Sequence, residues 1–193
     1  QFSLRMTVDH IFECDMPAIY PTSSSSTTFL RLTTVGTAID FTDFLSCSEY
    51  SSYSAINYSI TTTTQYPNQN LFIDGNVEII SGILDLQGCR IVVNPHTPPY
   101  TITVKSGGTL IMNEFELINS SGTTHIPTHI FACSTMWGGI INDGGTLDLY
   151  AAKTAFTKIE DALIAIDSEG GNVQVRYTTF DHNGLGILID GTN

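Results

Sequence analysis

The sequence is short of positive charge. Seven Lys and Arg residues stand against 19 Asp and Glu in 193 residues, a formal net charge of −12. A surface this acidic repels phosphate backbones and anionic head groups, which argues against nucleic acid and against polybasic docking on a membrane. It argues equally against gripping polyuronates, which takes several cations. Long apolar runs are missing too, and no stretch approaches the roughly 18 residues of a membrane span. Charged residues of both signs make up only 13%. Ser, Thr, Asn and Gly supply the polarity instead, a composition suited to pleated β surfaces rather than long helices.

The chain begins at Gln1, with no basic and apolar leader ahead of it. Gln cyclises readily at a mature N-terminus, so a removed signal peptide and an extracellular or cell-surface location are expected. Four cysteines, Cys14, Cys47, Cys89 and Cys133, form an even set compatible with two disulfides in any of three connectivities. Secretion would favour at least one bridge. Asn57-Tyr-Ser and Asn119-Ser-Ser fit the N-glycosylation pattern, although such triplets arise easily in a Ser-rich chain.

Repetition is what the sequence has in quantity. The segments 82-GILDLQGCRI-91, 108-GTLIMNEFEL-117, 145-GTLDLYAAKTAF-156 and 171-GNVQVRYTTF-180 align on their first glycines, with spacings of 26, 37 and 26 residues. Two positions after the anchor stand Leu84, Leu110, Leu147 and Val173, and four after stand Leu86, Met112, Leu149 and Val175. That period of two marks short strands with one inward face. A second strand is expected at Ile91 and Val93, Leu117, Phe156 and Phe180, and a third at Ile102 and Val104, Ile140, Ile164 and Ile166, Ile187 and Ile189. No single unit can bury its apolar face alone, so the units must stack. The Gly pairs flanking Ile140 and Leu147 are then corners, where a positive φ or a close backbone approach is needed.

The fold class is therefore all-β. Trp137-Gly-Gly-Ile140 leading into Asp143-Gly-Gly-Thr-Leu147, then Ala162 and 180-FDHNGLGI-187, resembles the repeats of right-handed parallel β-helices of the pectate-lyase-like kind. The likeness covers about residues 70–193 and is closest to secreted and surface proteins of Bacteroidota. It implies a β-helix solenoid and, in that group, export by the type IX secretion route. It does not imply one activity, since the same scaffold carries lyases, hydrolases, tailspikes and adhesins. Residues 1–69 are expected to form an N-terminal Ser/Thr-rich capping region, with a short helix near Ala38 to Leu45, covering the exposed end of the solenoid.

Candidate chemistry is sparse. His125, His129 and Cys133 are metal-ligand types at spacings of four, inside the enlarged unit, but Pro127 disfavours a shared helical face. A solvated loop is expected in place of a zinc site. Asp85 and Asp148 occupy matching outward positions with Ile111 between them, two rungs or roughly 10 Å apart, and are expected to be a solvated face. Arg90, Lys105, Lys153, Lys158 and Arg176 are the candidate bases for a lyase. Asp74-Gly-Asn, Asn142-Asp-Gly-Gly and Asp190-Gly-Thr-Asn read as turns ahead of calcium loops, and His182 and Asn183 as corner residues. No catalytic residue and no cofactor is assigned.

These observations lead to the expectation of a non-enzymatic extracellular or cell-surface scaffold contacting a glycan or another surface or secretion protein. Two alternatives are a polysaccharide lyase or glycoside hydrolase with its active residues on later rungs, and a cargo or accessory subunit of a secretion assembly. Further rungs or a partner subunit are expected to cover the end near Asn193, and the enlargement between Asn119 and Trp137 should protrude as a loop.

Overall fold

A computed structural model of the chain describes residues 47–151 and 155–189. After a 3-10 turn at Cys47–Tyr50, three short strands make the first rung: β1 (Ser54–Ala55), β2 (Ser59–Ile60) and β3 (Thr64–Pro67). The second rung is β4 (Asn70–Ile73), β5 (Val77–Ile79) and β6 (Ile83–Gln87), and the third is β7 (Arg90–Val93), β8 (Thr101–Lys105) and β9 (Thr109–Asn113). A hairpin, β10 (Phe115–Asn119) and β11 (Gly122–Ile126), interrupts the winding. The fourth rung follows as β12 (His129–Ala132), β13 (Gly139–Asp143) and β14 (Thr146–Tyr150). The fifth is β15 (Thr157–Glu160), β16 (Ile164–Ser168) and β17 (Asn172–Arg176), and β18 (Thr178–Asp181) and β19 (Leu185–Ile189) begin a sixth.

Strands at equivalent places pair in parallel and build three sheets: β1-β4-β7-β12-β15-β18, β2-β5-β8-β13-β16-β19 and β3-β6-β9-β14-β17. The fold is a parallel β-helix. Leu84, Leu110, Leu147 and Val173 fall in one register column, and Leu86, Met112, Leu149 and Val175 in the next, as their spacing predicts. Leu84, Leu86, Leu110, Met112, Leu147 and Leu149 are completely buried. Each such side chain stabilises the fold by about 1.5–3 kcal/mol relative to exposure, and none could do so without the rung above and below.

The second sheet also follows the predicted register, with Ile102, Ile140, Ile166 and Ile187 in line. The first sheet follows it at Ile91 and Phe180 and departs from it on the two rungs between. Its inward column is Leu71, Ile91, Ile130, Ile159 and Phe180, so Leu117 and Phe156 are not wall residues; both are exposed. After Asn113 the chain leaves the wall for the hairpin and rejoins it at Thr128. The Thr128 hydroxyl lies 3.0 Å from the Leu86 carbonyl oxygen and 2.5 Å from that of Asn113, closing the base. At the fifth rung, Thr157 turns inward and donates from its hydroxyl to the Met112 carbonyl at 3.2 Å. That contact sets the register one residue beyond Phe156.

The sheets also reach back to Ser54, well into the segment assigned to the N-terminal region. Thr64 and Tyr66 extend the two apolar columns opposite Leu84 and Leu86. The rung joining these partners is only 20 residues long, so the 26-residue spacing is a short coil plus a longer corner. The short helix expected at Ala38–Leu45 and the start of the capping region, with Cys14, lie outside the described residues, as do Lys153 and Asp190. No described helix is long and apolar enough to cross a membrane.

One of the Gly pairs shows why the corners need glycine. Gly139 has φ +103°, and a Cβ built there would sit 1.7 Å from the Ile164 carbonyl oxygen of the next rung. No L side chain fits that approach. The corner also orders its polar groups: buried Asn142 donates to the Gly170 carbonyl at 2.7 Å, and Asp143 accepts from Lys105 at 2.7 Å.

Candidate functional site

The first sheet carries the densest chemistry. Its outward column runs Asn70, Arg90, His129, Lys158 and Thr179, because in each of these strands the residue before the inward aliphatic must point out. Arg90, His129 and Lys158 thus form a ladder of basic side chains across three rungs. Glu160 and Asp181 stand beside it on the same face, paired in register. Lys158 Nζ lies 2.5 Å from Glu160 Oε1 and 3.0 Å from Asp181 Oδ2, and His129 Nε2 hydrogen-bonds Glu160 Oε2.

Glu160 is the electrostatic centre. Burial works against its charge, but the hydrogen bonds and charges of His129 and Lys158 outweigh burial and hold its carboxyl down to about 2. Next to it, burial pushes the Asp161 carboxyl up, and the Glu160 charge adds to the rise. Burial also weighs on the Lys158 ammonium, yet Glu160 and Asp181 carry its pKa above the ordinary value. The strand is fixed from inside: the indole Nε1 of buried Trp137 donates to the Glu160 carbonyl at 2.8 Å.

The other end of this face is covered by aromatics. Tyr50, Val92, Phe131 and Cys133 form a small buried cluster with Tyr53 and Phe72 against it. The Arg90 guanidinium lies 4.6 Å from the centre of the Phe131 ring, a cation–π contact. Cys133 is bonded to Cys47, which fastens the 3-10 turn over the sheet. Cys89 is free and buried, its thiol pushed up by that burial.

His125, His129 and Cys133, expected to lie in a solvated loop in place of a zinc site, are instead dispersed over the hairpin, the wall strand β12 and the position just after it. The sulfur of Cys133 is taken by Cys47, His129 faces Glu160, and His125 is on the hairpin. There His125 Nδ1 lies 3.4 Å from Glu114 Oε2 and 3.9 Å from Glu116 Oε1. A second grouping, Glu160, Asp181 and His182, also brings its ligand atoms within 4.8 Å of one another, but the Lys158 ammonium already occupies the space between the two carboxylates.

Several of the remaining candidates, Asp85, Asp74 and Asn183 among them, have structural partners. Asp85 and Asp148 flank Ile111 in one outward column, but Asp85 is buried instead of solvated, because its Oδ2 accepts from Gln65 and Gln87 at 3.0 and 2.9 Å. Asp74 Oδ1 accepts from Asn94 at 2.7 Å. Asn183 accepts from the Ala162 amide and donates to the Ile159 carbonyl, at 2.8 and 2.9 Å. Arg176 is exposed at the end of β17, in register with Tyr150.

The basic ladder had a sequence signal that the glycine alignment hides. Arg90-Ile91, His129-Ile130 and Lys158-Ile159 repeat one dipeptide pattern, a cation followed by an inward isoleucine. In comparisons with known proteins, no family model matches the chain, and neither a curated protein nor a solved structure matches it significantly.

Proposed function

We propose that this chain is a non-enzymatic extracellular or cell-surface β-helix scaffold that presents a recognition element for a glycan or another surface protein. The observation that carries this reading is the β10–β11 hairpin, which leaves an otherwise regular wall and exposes Leu117 and Ile118, the latter 76% accessible. Loops on rigid scaffolds are where recognition concentrates. The Cys47–Cys133 bond supports an oxidising location. The repeat resemblance supports a secreted protein of the pectate-lyase-like, right-handed kind found in Bacteroidota, delivered by type IX secretion. In this reading Leu185, Ile187, Leu188 and Ile189, exposed on β19, give an apolar surface suited to a partner subunit. That surface also suits an accessory subunit of a secretion assembly.

A second reading, a polysaccharide lyase or glycoside hydrolase, rests on one observation. The neighbouring Glu160 and Asp161 have carboxyl pKa values pushed in opposite directions, the kind of divergence that separates acid and base roles between two carboxyls. A glycan panel separates the two. The purified chain is incubated with each glycan, and bound ligand, new reducing ends and unsaturated products are measured together. Retention of a glycan without new ends, abolished when the hairpin is shortened, supports the scaffold. Product formation that disappears in Glu160→Gln overturns it in favour of the enzyme.

A further inference from the structure

The hairpin assembles three ligand atoms that the sequence keeps apart. Glu114 ends the link from the third rung, Glu116 lies two residues on along β10, and His125 faces Glu116 directly across the pair. Residues two apart on a strand share a face, and a cross-strand partner joins them on it. The Glu114 side chain is only 10% exposed and that of His125 30%, while Glu116 is more open at 55%. The hairpin base is tied to the wall: Phe115 packs against Gly88, and the Gly88 amide donates to the Asn113 carbonyl at 3.0 Å.

We infer that Glu114, Glu116 and His125 form a binding site for a divalent transition-metal ion of the zinc class. Three independent features point to it. The first is separation: ligands about 2.0–2.2 Å from a tetrahedral zinc lie about 3.3–3.6 Å from one another. The Nδ1–Oε2 distance of 3.4 Å falls on that edge length, and the 3.9 Å to Glu116 closes to it by a small rotation of an exposed side chain. The second is an unused ligand atom: His125 Nδ1 is shielded from solvent and makes no hydrogen bond, although it faces two carboxylates. A shielded nitrogen that makes no hydrogen bond costs stability, and a metal ion shared with the two carboxylates removes that cost. The third is charge. Two carboxylates neutralise a dication, and a chain of net charge −12 draws cations toward it.

The imidazole selects the ion. Calcium and magnesium prefer all-oxygen shells, whereas a nitrogen with two carboxylates suits zinc and its neighbours. Three protein ligands leave a position toward solvent, the arrangement by which such an ion can bridge to a ligand on a partner.

The test uses the full chain and zinc chloride in equilibrium dialysis, with cobalt substitution to read the ligand field. The expected result is one ion bound in the hairpin, with tetrahedral cobalt bands that vanish in His125→Ala and in Glu116→Gln. Glu116 is exposed, so its variant keeps the fold. Glu160→Gln and His182→Ala, which remove ligand types from the other grouping, should leave binding unchanged. Absence of stoichiometric binding overturns the inference. So does binding that survives His125→Ala or is lost in His182→Ala.

Discussion

Cys47 and Cys133 are covalently joined, so a residue ahead of the first strand is fastened to one just after β12, 86 positions later in the sequence. The bond lies beside the cluster of Tyr50, Val92 and Phe131. It therefore holds an aromatic lid on the outward face of the first sheet across the first four rungs. The rungs below the lid bury apolar side chains on both faces of this sheet, inward through Leu71 and Ile91 and outward through Val92 and Phe131.

Breaking this bond should lower stability without changing the winding. A disulfide closing so long a loop restricts the unfolded chain, and removing one typically costs about 2–4 kcal/mol. Cys133→Ser is expected to lower the unfolding free energy measured in urea by that amount, and with it the midpoint, with the far-ultraviolet dichroism of the folded state preserved. An unchanged midpoint would mean that the two thiols stay unjoined in solution.

The corner at Gly139 makes a sharper demand. A Cβ there meets a backbone oxygen, which cannot move aside as a side chain could, and φ is positive. Gly139→Ala is expected to cost at least about 2 kcal/mol, measured by denaturant unfolding. Gly122, also at positive φ but with nothing near its would-be Cβ, is the comparison. Gly122→Ala should cost clearly less, and equal losses would show that strain in φ, not the close approach, decides.

The two sheets whose inward residues are aliphatic at period two could be read directly, because Leu84, Leu110 and Leu147 leave no other face to bury. The first sheet could be read at Ile91, Val93 and Phe180 but not at the two rungs between, for two physical reasons. Its third-rung successor is displaced by the hairpin, so the nearest apolar residue in sequence, Leu117, is not the one that returns to the wall. At the fifth rung Thr157, held by a buried hydrogen bond, takes an inward position that hydrophobicity assigns to Phe156. Since the basic ladder and Glu160 lie on that sheet, the misplaced register concealed them. The hairpin left a trace: Ser120-Ser121 at a turn sets Asn119 opposite Gly122, and counting outward from it brings Glu116 to His125.

Shortening the hairpin should separate folding from recognition. Replacing Glu116–His125 by Asn-Gly joins the paired residues Phe115 and Ile126 through a favoured two-residue turn. The wall strand His129–Ala132 and the Thr128 clasp remain. Stability is expected to stay within about 1 kcal/mol of the parent, since surface changes away from core features are small, while ligand retention is lost. Global unfolding of this variant would show that the hairpin is part of the core rather than a display element.

The last prediction concerns acid. Glu160 titrates at about 2 in the folded chain against an ordinary value of 4.5. A carboxyl with a depressed folded pKa contributes stability that is fully present above the unfolded value and is lost as the pH falls through the folded one. The window for Glu160 is therefore between about pH 4.5 and pH 2, and the contribution is on the order of 3 kcal/mol, since its side chain is only 13% exposed. Asp161 has the opposite sign. Its carboxyl is raised, so the stability it contributes is present below its unfolded value and is lost as the pH rises through the folded one. Stability measured from pH 7 down to pH 2 should accordingly fall in the parent through the Glu160 window. Glu160→Gln should start lower at pH 7 and fall less on acidification, because the amide cannot titrate. Asp161→Asn tests the partner: it should raise stability near neutrality relative to acid, so that stability falls more steeply on acidification than in the parent. If parent and Glu160→Gln lose stability in parallel from pH 4.5 to pH 2, the ion pairs of Glu160 with His129 and Lys158 contribute nothing to the fold.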